Sequence, residues 1–403
     1  MNIGIFTDTY HPQINGVVTS IRMLEREMTA LGHNVFIFTT SDPHSCQEGA
    51  NVFRLPSMPI TFLPPHRVAF LYSPKLLLKM KSLRLDIIHT HTEFPLGILG
   101  KLVSEIYRIP MVHTYHTMYE DYTHYILNGF LITPKMAKGF SRVFCNRAKA
   151  VIAPVDKTRD YLKEIGVART IKTIPTGLDF APFKKSNFTV SELYHAKLEI
   201  GLGPEDPVIV SVGRVAREKS LDILIKMMPE LLVKLPSAKL VIVGDGPATD
   251  DLKNLARSLK VWPSVIFAGS RPWDTIGKYY QLGDVFATAS TSETQGLTYI
   301  EAMASQVPVV VKKDPSFEGL IKHNDTGFVF EKDEEAAQVM YYALTNQKEA
   351  EKAADRGFAA IQHLSAKQYA VNVEEVYRLL NEKRAKEKRF RRRRVKKQKV
   401  KQK

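Results

Sequence analysis

The chain begins with a short apolar run at Asn2–Phe6, followed by a polar loop, a helical pattern over Gly16–Leu31 and a second apolar run at Val35–Thr39. Short apolar runs predict buried strands, and apolar positions that recur every three or four residues predict an amphipathic helix. The same pattern predicts further strands at Asp86–Thr90 and Pro110–Thr114. The chain therefore opens as a unit of strand, loop, helix and strand.

The alternation starts again after residue 206. Pro207–Val212 and Lys239–Val243 are predicted strands, and Leu221–Lys234 between them is a predicted amphipathic helix. Such alternation predicts parallel sheets covered on both faces. Two stretches of it in 403 residues predict an α/β protein with two doubly wound domains facing a crevice, and ligands at the carboxyl ends of the strands. Further predicted elements are Val265–Ala268, Trp273–Leu282, Val285–Ala287, Leu297–Ser305 and Pro308–Val311.

Two carboxylates flank a turn of small residues in the second half of the chain. Glu293 precedes the turn and Glu301 lies about one turn into the helix that follows it. The N–H groups near Gly296, Leu297 and Thr298 begin that helix, have no intrahelical partners and suit an anion. A sugar nucleotide fits this layout, with its diphosphate on the N–H groups and its hydroxyls on the carboxylates. A capped helix with two solvated acids explains the same residues.

Three more residues are predicted to lie at the strand ends. Gly16 begins the first predicted helix, where glycine lets a ligand approach the backbone closely, although turn chemistry alone also explains it. Arg214 and Lys219 lie in the polar loop after the strand Pro207–Val212. Both are therefore expected at the crevice, where cations suit a diphosphate. The alternative is a solvated pair in a surface loop.

Four motifs follow one another along the chain: Thr7–Val17, Gly213-Arg214 with Lys219, Gly244–Pro247, and the spacing of Glu293 and Glu301. Together these motifs resemble the large GT-B group of retaining glycosyltransferases called family 4. The resemblance covers the chain to about residue 380, and its specificity comes from several motifs in the family's order. Within the family, the beginning of the chain and the segment Thr114–Tyr122 look most like bacterial enzymes that glucosylate diacylglycerol, of the 1,2-diacylglycerol 3-alpha-glucosyltransferase type.

The resemblance implies roles for the candidate residues. Arg214 and Lys219 would bind the donor diphosphate and stabilise charge on the leaving group. The other implied roles are contact with the sugar hydroxyls for Glu293, with the ribose for Glu301, with a phosphate for the backbone of Gly16, and with the transferred sugar for His116.

Retention in this family would proceed without an obvious protein nucleophile. The favoured hypothesis is front-face attack, in which the acceptor hydroxyl enters on the side that the diphosphate leaves and a phosphate oxygen takes the proton. The protein then mainly positions the reactants and stabilises charge. Asp121 and Tyr122 are candidates to contact the acceptor, and the alternative is a solvated acid in a loop rich in tyrosine.

Four histidines lie at or just beyond the predicted strands Asp86–Thr90 and Pro110–Thr114, and a metal cluster is one interpretation of them. Hydrogen-bonded scaffold residues are the more usual one, because no Cys or carboxylate lies at a spacing that demands a metal. No Asp-x-Asp pair follows a strand either. We therefore predict no metal site and no tightly bound cofactor. Of the four histidines, we predict that only His116 is functional. The histidines are His89, His91, His113 and His116.

Most of the positive charge lies at one end of the chain. The net charge is +15, and residues 381–403 hold 14 Lys or Arg and two Glu, so this segment carries +12. It is a solvated extension, a nucleic-acid binder or a binder of anionic membrane. Nucleic acid is disfavoured, because Phe390 is the one aromatic residue of the segment. Membrane binding is the favoured interpretation, because a polybasic segment would hold an enzyme with a lipid acceptor at an anionic membrane.

Two further segments mix apolar and basic residues as interfacial helices do. They are Phe62–Lys81 and Leu131–Phe140, and ordinary helices packed on a sheet explain both as well. Cys46 and Cys145 are too few for a disulfide framework, which indicates a cytosolic protein. The first strand leaves no room for a signal peptide, and no apolar run approaches the ~18 residues of a membrane span.

The predicted organisation is an acceptor-binding Rossmann-like domain over residues 1–178, a nucleotide-sugar-binding one over 179–364, a closing helix over 365–388 and a polybasic tail over 389–403 that is disordered by itself. The predicted function is transfer of glucose from UDP-glucose to 1,2-diacylglycerol, at the inner face of the cell membrane. Alternatives are a second hexose transfer onto a glycosylated lipid and a soluble acceptor. A dinucleotide-dependent enzyme ranks lower, because the turn Gly244–Gly246 lacks the third glycine of the dinucleotide fingerprint. A non-catalytic nucleic-acid binder ranks lower still.

Overall fold

The computed structural model describes residues 1–13, 15–43, 45, 49–59, 67–70, 74–118, 133–273 and 275–401. The side chains of residues 74–76, 388 and 391–401 are outside this description. The chain divides into two compact units. Unit 1 comprises Met1–Gly177 and Ala366–Lys403, and unit 2 comprises Leu178–Ser365.

Unit 1 is built on a parallel sheet with the strand order β3-β2-β1-β6-β7-β8-β9. Its central strand β1 (Asn2–Phe6) pairs with β2 and β6, and both faces of the sheet are apolar, as expected of a parallel sheet under helices. A short antiparallel pair, β4 and β5, stands apart from this sheet. The other strands are β2 (Asn34–Thr40), β3 (Val52–Leu55), β4 (Ser57–Pro59), β5 (Arg67–Ala69), β6 (Ile87–Thr90), β7 (Met111–Thr114), β8 (Ala150–Ala153) and β9 (Thr170–Thr173).

Five helices connect these strands in the described residues. The helix that the sequence predicts after the first strand is α1 (Gly16–Ala30), and the side chain of Asn15 caps it by accepting from the N–H of Val18. The others are α2 (Pro74–Ser82), α3 (Pro95–Tyr107), α4 (Pro134–Cys145) and α5 (Asp156–Glu164).

Unit 2 repeats the plan with a second parallel sheet in the order β12-β11-β10-β13-β14-β15. Its central strand is β10 (Val208–Val212), which lies between β11 and β13. The predicted strands of this half are all present, with ends shifted by a residue at most. The others are β11 (Lys239–Val243), β12 (Val265–Gly269), β13 (Val285–Thr288), β14 (Val309–Lys312) and β15 (Phe328–Phe330).

The helix expected over Leu221–Lys234 is interrupted. It forms as α7 (Leu221–Lys226) and α8 (Met228–Lys234), because Pro229 lies in the first turn of α8 and has no N–H to donate to a preceding turn. The remaining helices of unit 2 are α6 (Val190–Glu199), α9 (Thr249–Ser258), α10 (Ile276–Gln281), α11 (Leu297–Ala304), α12 (Ala336–Thr345) and α13 (Gln347–Ala360).

The chain then returns to unit 1 in one long helix, α14 (Ala366–Lys401). Tyr369, Val373 and Tyr377 are buried in the core that α14 shares with α1, and the Tyr369 hydroxyl lies 3.1 Å from that of Ser20. The prediction that the helix ends near residue 388 is wrong, because α14 continues to Lys401. Lys and Arg are good helix formers, and neither Gly nor Pro interrupts residues 381–401. No helix in the described residues is both long and apolar enough to cross a membrane.

Candidate active site

The turn that opens α11 requires a glycine. Gly296 has a left-handed conformation (φ 67°), and a Cβ there would lie 2.1 Å from the ring of Tyr299. The Tyr299 hydroxyl donates to the carbonyl of Gln295, which fixes the ring against the turn. Leu297 and Thr298 are the first residues of α11, as the sequence predicts. Their N–H groups therefore begin a helix, where an anion is favoured.

Lys219 and Glu293 form an ion pair in unit 2. The Lys219 Nζ donates to Glu293 Oε1 at 2.6 Å, and both side chains are largely covered. The hydroxyls of Ser290 and Ser292 donate to the carbonyl of Glu218, at 3.3 and 2.9 Å. These bonds tie the loop after β13 to the loop after β10. Two candidates that were predicted with separate roles therefore form one ion pair, although they are 74 positions apart in the sequence.

Arg214 extends from the same loop with a carboxylate beside it. Its Nη1 lies 3.8 Å from Oε1 of Glu218, whose side chain is only 4% exposed, whereas that of Arg214 is 46% exposed. The guanidinium is therefore held near a buried acid while it still reaches solvent. Sequence reasoning missed Glu218, although its spacing of four residues from Arg214 is a usable signal for an ion pair.

The loops after β10 and β11 lie backbone to backbone. Gly213 (φ 146°) and Gly244 (φ 143°) both have conformations that favour glycine, and a Cβ on Gly244 would lie 1.8 Å from the carbonyl oxygen of Gly213. A Cβ on Gly213 would in turn lie 3.9 Å from the side chain of Thr298. The residue before Arg214 is therefore next to the first turn of α11. This contact brings the predicted cation and the predicted anion site together.

Glu301 is buried one turn into α11. Its Oε2 accepts from the hydroxyl of Tyr280 at 2.6 Å. Burial raises the pKa of Glu301 to about 7, although the hydrogen bond from Tyr280 acts in the opposite direction. Sequence reasoning missed Tyr280, because nothing in the chain marks a tyrosine of α10 as the partner of a carboxylate in α11.

In unit 1, Gly16 is the first residue of α1, and the loop before it is held by its own side chains. The Asn15 amide donates to Oγ1 of Thr9 at 2.9 Å, and the Thr9 hydroxyl donates to the side chain of Gln13 at 2.6 Å. The Asn15 carbonyl oxygen caps α1. The backbone at Gly16 is thus presented by a hydrogen-bonded loop.

Asp8, also missed from the sequence, fixes that loop to the neighbouring strand end. Its carboxylate accepts from the Thr92 hydroxyl at 2.5 Å and from the N–H of Leu96, in the first turn of α3, at 3.1 Å. Burial raises the pKa of Asp8 to about 6. Its surroundings indicate a structural role at the N-terminus of α3.

His116 is paired with a second histidine. Its Nε2 lies 2.9 Å from Nδ1 of His91, and the two rings stack with centroids 5.1 Å apart. Burial and the nearby charge of His113 lower the pKa of His116 to about 3, so the imidazole is neutral at physiological pH. A neutral imidazole has one donor and one acceptor nitrogen, and Nε2 is the one engaged by His91.

The other histidines are hydrogen-bonded within the core. His89 lies between the hydroxyls of Tyr377 and Thr114, at 2.6 and 2.7 Å. His113 lies 3.1 Å from Oε1 of the buried Glu93. Within the described part of the chain, no group of three His, Cys, Asp or Glu is arranged to hold a metal ion.

The candidates fall in both units. Gly16 and His116 belong to unit 1, and the predicted diphosphate and carboxylate residues belong to unit 2. Asp121 and Tyr122, the acceptor candidates, lie outside the described residues, as does Cys46. The predicted interfacial segments Phe62–Lys81 and Leu131–Phe140 are described only in part.

Two family models match the chain. The model for glycosyl transferases group 1 matches residues 196–360, and the model for glycosyltransferase family 4 matches residues 14–181. The first match lies within unit 2, and the second covers most of the chain before it.

Two curated relatives are similar over most of the chain. An alpha-monoglucosyldiacylglycerol synthase of Streptococcus pneumoniae is 39% identical over 345 residues, which cover 85% of this chain and 78% of the relative. One of Acholeplasma laidlawii is 34% identical over 354 residues, covering 86% and 89%.

Solved structures share the fold. Anabaena HepE, in complex with UDP and glucose, superposes with a TM-score of 0.76 at 19% identity, covering 93% of this chain and 99% of that one. A sucrose-phosphate synthase of Thermosynechococcus elongatus gives a TM-score of 0.74 at 20% identity, covering 94% and 98%. These likenesses establish the GT-B architecture of two Rossmann-like domains.

Proposed function

The chain belongs to the group 1 and family 4 glycosyltransferases, and on that premise we propose that it transfers glucose from UDP-glucose to 1,2-diacylglycerol with retention, forming alpha-monoglucosyldiacylglycerol. The observation that carries the proposal is the 39% and 34% identity, over most of the chain, to two enzymes named for that product.

The donor diphosphate is assigned to unit 2. Arg214 supports this assignment because its guanidinium is half exposed and the residue before it, Gly213, lies next to the first turn of α11, where the helix N–H groups also favour an anion. Lys219 adds a second cation, held by Glu293 at 2.6 Å. In this proposal both cations stabilise the charge that develops on UDP as the glycosidic bond breaks.

Two carboxylates then recognise the sugars of the donor. A carboxylate accepts several hydrogen bonds, so Glu293 can serve both Lys219 and the glucose hydroxyls. Glu301 is assigned to the ribose, and the hydroxyl of Tyr280 orients it. HepE, which shares this fold, was crystallised with UDP and glucose.

The chemical step follows from these roles. The acceptor hydroxyl attacks the anomeric carbon on the face that UDP leaves, and a phosphate oxygen of the leaving group takes its proton. Neutral His116 is assigned to a hydroxyl of the transferred glucose, and the backbone of Gly16 to a phosphate. The acceptor lipid is dissolved in a membrane, so we propose peripheral binding to its cytoplasmic face, with Asp121 and Tyr122 near the acceptor.

The test is a product analysis. Purified protein is incubated with vesicles of diacylglycerol and phosphatidylglycerol and with UDP-glucose, UDP-galactose, UDP-N-acetylglucosamine or GDP-mannose in separate reactions. Mass spectrometry identifies the lipid product, and proton NMR assigns the anomeric configuration. We expect one hexose in the α configuration, from UDP-glucose alone.

Two controls make the result specific. Glu293→Gln keeps the size of the side chain and should abolish transfer, whereas Glu230→Gln, on the exposed side of α8, should not. A product that carries two hexoses, or a product formed only when monoglucosyldiacylglycerol is added, would show that the acceptor is a glycosylated lipid and not diacylglycerol. A β product would overturn retention.

A further inference from the structure

Helix α3 exposes a regular line of apolar side chains. Phe94, Ile98, Leu102 and Ile106 follow one another at intervals of four residues, and each is between 44% and 52% exposed. Side chains four residues apart lie on one face of a helix. The opposite face of α3, which contains Leu96, Leu99 and Val103, is buried in the core. The exposed line is thus additional to the apolar face that the fold uses.

Helix α4 continues this surface. Its residues Ala137, Ser141 and Phe144 are buried, whereas Met136, Phe140 and Val143 are 57%, 40% and 55% exposed. The rings of Phe94 and Phe140 stack with centroids 6.1 Å apart, which joins the two helices. We call the seven exposed apolar side chains of the two helices the α3–α4 surface. Contiguous exposed apolar patches mark interaction sites.

The charges around this surface are mostly positive. Helix α4 carries Lys135, Lys138 and Arg142 and no acid, while on α3 the one lysine, Lys101, is paired with Glu105 at 3.3 Å. A second copy of the chain, docked face to face about a two-fold axis, would bring the α4 cations against their own equivalents. Apolar side chains flanked by Lys and Arg instead suit the boundary between acyl chains and anionic headgroups.

The surface is also connected to the candidate site of unit 1. Phe144, on the buried side of α4, packs edge-on against His113 with ring centroids 4.9 Å apart. His113 lies on β7, the strand that leads to His116. The buried side of α4 therefore packs against the strand that leads to the neutral histidine.

We propose that the α3–α4 surface is the part of the protein that enters an anionic bilayer. The seven apolar side chains lie at the level of the acyl boundary, and Lys135 and Arg142 contact the phosphates of the headgroups, whereas the Lys138 ammonium lies 5.8 Å from the ring centroid of Tyr161. The inference rests on the proposed function, since a lipid acceptor must be taken from the surface in which it is dissolved. It assigns the apolar part of the contact to α3 and α4, whereas the basic end of α14 can add charge attraction at low salt.

The test is vesicle binding by a triple variant. Ile98→Ser, Leu102→Ser and Phe140→Ser remove apolar area while leaving every charge in place. Sedimentation with vesicles rich in phosphatidylglycerol should show an apparent Kd raised about 10-fold or more, because interfacial binding scales with the buried apolar area. The matched control is Val190→Ser with Val233→Ser, which are 87% and 82% exposed in unit 2 and should bind as the wild type does.

A second variant tests the charge. Lys135→Gln with Arg142→Gln should weaken binding to anionic vesicles severalfold and leave the weak binding to neutral vesicles unchanged. Circular dichroism and resistance of residues 1–177 to limited proteolysis, both equal to those of the wild type, would show that each variant is folded in unit 1. Unchanged vesicle binding by the folded triple variant would overturn the proposal.

Two further measurements separate the outcomes. Transfer to a short-chain diacylglycerol in detergent micelles tests the enzyme without a bilayer, and both wild type and triple variant should be active there. If the wild type fails in micelles and in vesicles, the proposed function fails, whatever the binding result. Analytical ultracentrifugation that found a wild-type dimer, and a monomeric triple variant, would make the α3–α4 surface an interface between copies and overturn the lipid assignment.

Discussion

Replacing Glu301 by Gln should stabilise unit 2 and weaken donor binding. The carboxyl of Glu301 is buried, and its pKa is raised from 4.5 to about 7. Below about pH 4.5 it is protonated in both the folded and the unfolded chain. As the pH rises to about 7 the unfolded chain loses this proton first, so the contribution of Glu301 to stability is lost over that range.

The magnitude follows from the two pKa values. The interval from 4.5 to about 7 corresponds to about 3 kcal/mol, at about 1.4 kcal/mol for each pH unit. Gln keeps the shape and still accepts from Tyr280, but it does not ionise. The free energy of unfolding of Glu301→Gln, minus that of the wild type, should therefore rise by about 3 kcal/mol between pH 4.5 and pH 8.

The assay is urea unfolding followed by tryptophan fluorescence. Both tryptophans of the chain, Trp262 and Trp273, lie in unit 2, so the signal reports the unit that contains Glu301. Glu230→Gln is the control, since its side chain is 56% exposed in the same unit. Because Asp8 titrates in both proteins, its contribution cancels in the difference.

The effect of pH on ligand binding should be opposite to its effect on stability. If Glu301 binds the ribose as a carboxylate, UDP affinity of the wild type should increase as the pH rises through about 7, and Glu301→Gln should bind weakly at every pH. Tyr280→Phe removes the hydrogen bond that lowers the pKa of Glu301, so it should move the midpoint to higher pH. A pH-independent stability difference between Glu301→Gln and the wild type would refute this reasoning.

Three other changes have defined outcomes. Gly296→Ala should destabilise unit 2 by about 1–3 kcal/mol in the same urea assay, because the left-handed backbone and the Tyr299 ring both oppose a Cβ, and a normal midpoint would contradict the geometry. Lys219→Ala should slow transfer about 100-fold, and in a double-mutant cycle its effect should be non-additive with Glu293→Gln, whereas additive effects would mean that their ion pair does not matter for catalysis. Deleting residues 389–403 should reduce binding to anionic vesicles at low salt but not at about 0.5 M salt, where charges are screened. Unchanged binding at both salt concentrations would show that the segment does not contribute to membrane binding.

The elements were predictable where local pattern decides them. Asn2–Phe6 and Lys239–Val243 are strands with the predicted ends, because both are continuous apolar runs in the middle of a parallel sheet. Helix α1 begins at the predicted Gly16, because Asn15 is a strong cap. The short pair β4 and β5, with three residues in each strand, carries too little pattern to be found.

The site residues could be identified from motifs, but their partners could not. The ion pair of Lys219 and Glu293, and the hydrogen bond between Tyr280 and Glu301, join positions that are separate in sequence and meet only when the sheet of unit 2 forms. The raised pKa of Glu301 comes from burial, which is a property of the packed domain rather than of the motif. Local reasoning also underestimated α14, since it weighed charge repulsion above the helix propensity of Lys and Arg.

The way the chain leaves unit 1 and returns to it sets the order in which the two units can be completed during synthesis. Unit 2 is one continuous segment, and its ends meet, since the N–H of Leu178 donates to the carbonyl of Leu364 at 2.9 Å. Unit 1 lacks Tyr369 and Tyr377, which fill its core, until α14 has left the ribosome. Unit 2 can therefore be native while unit 1 still exposes the apolar face of α1. A nascent chain stalled when residues 1–365 have left the ribosome but α14 has not should accordingly bind UDP, while its first 177 residues remain open to proteases.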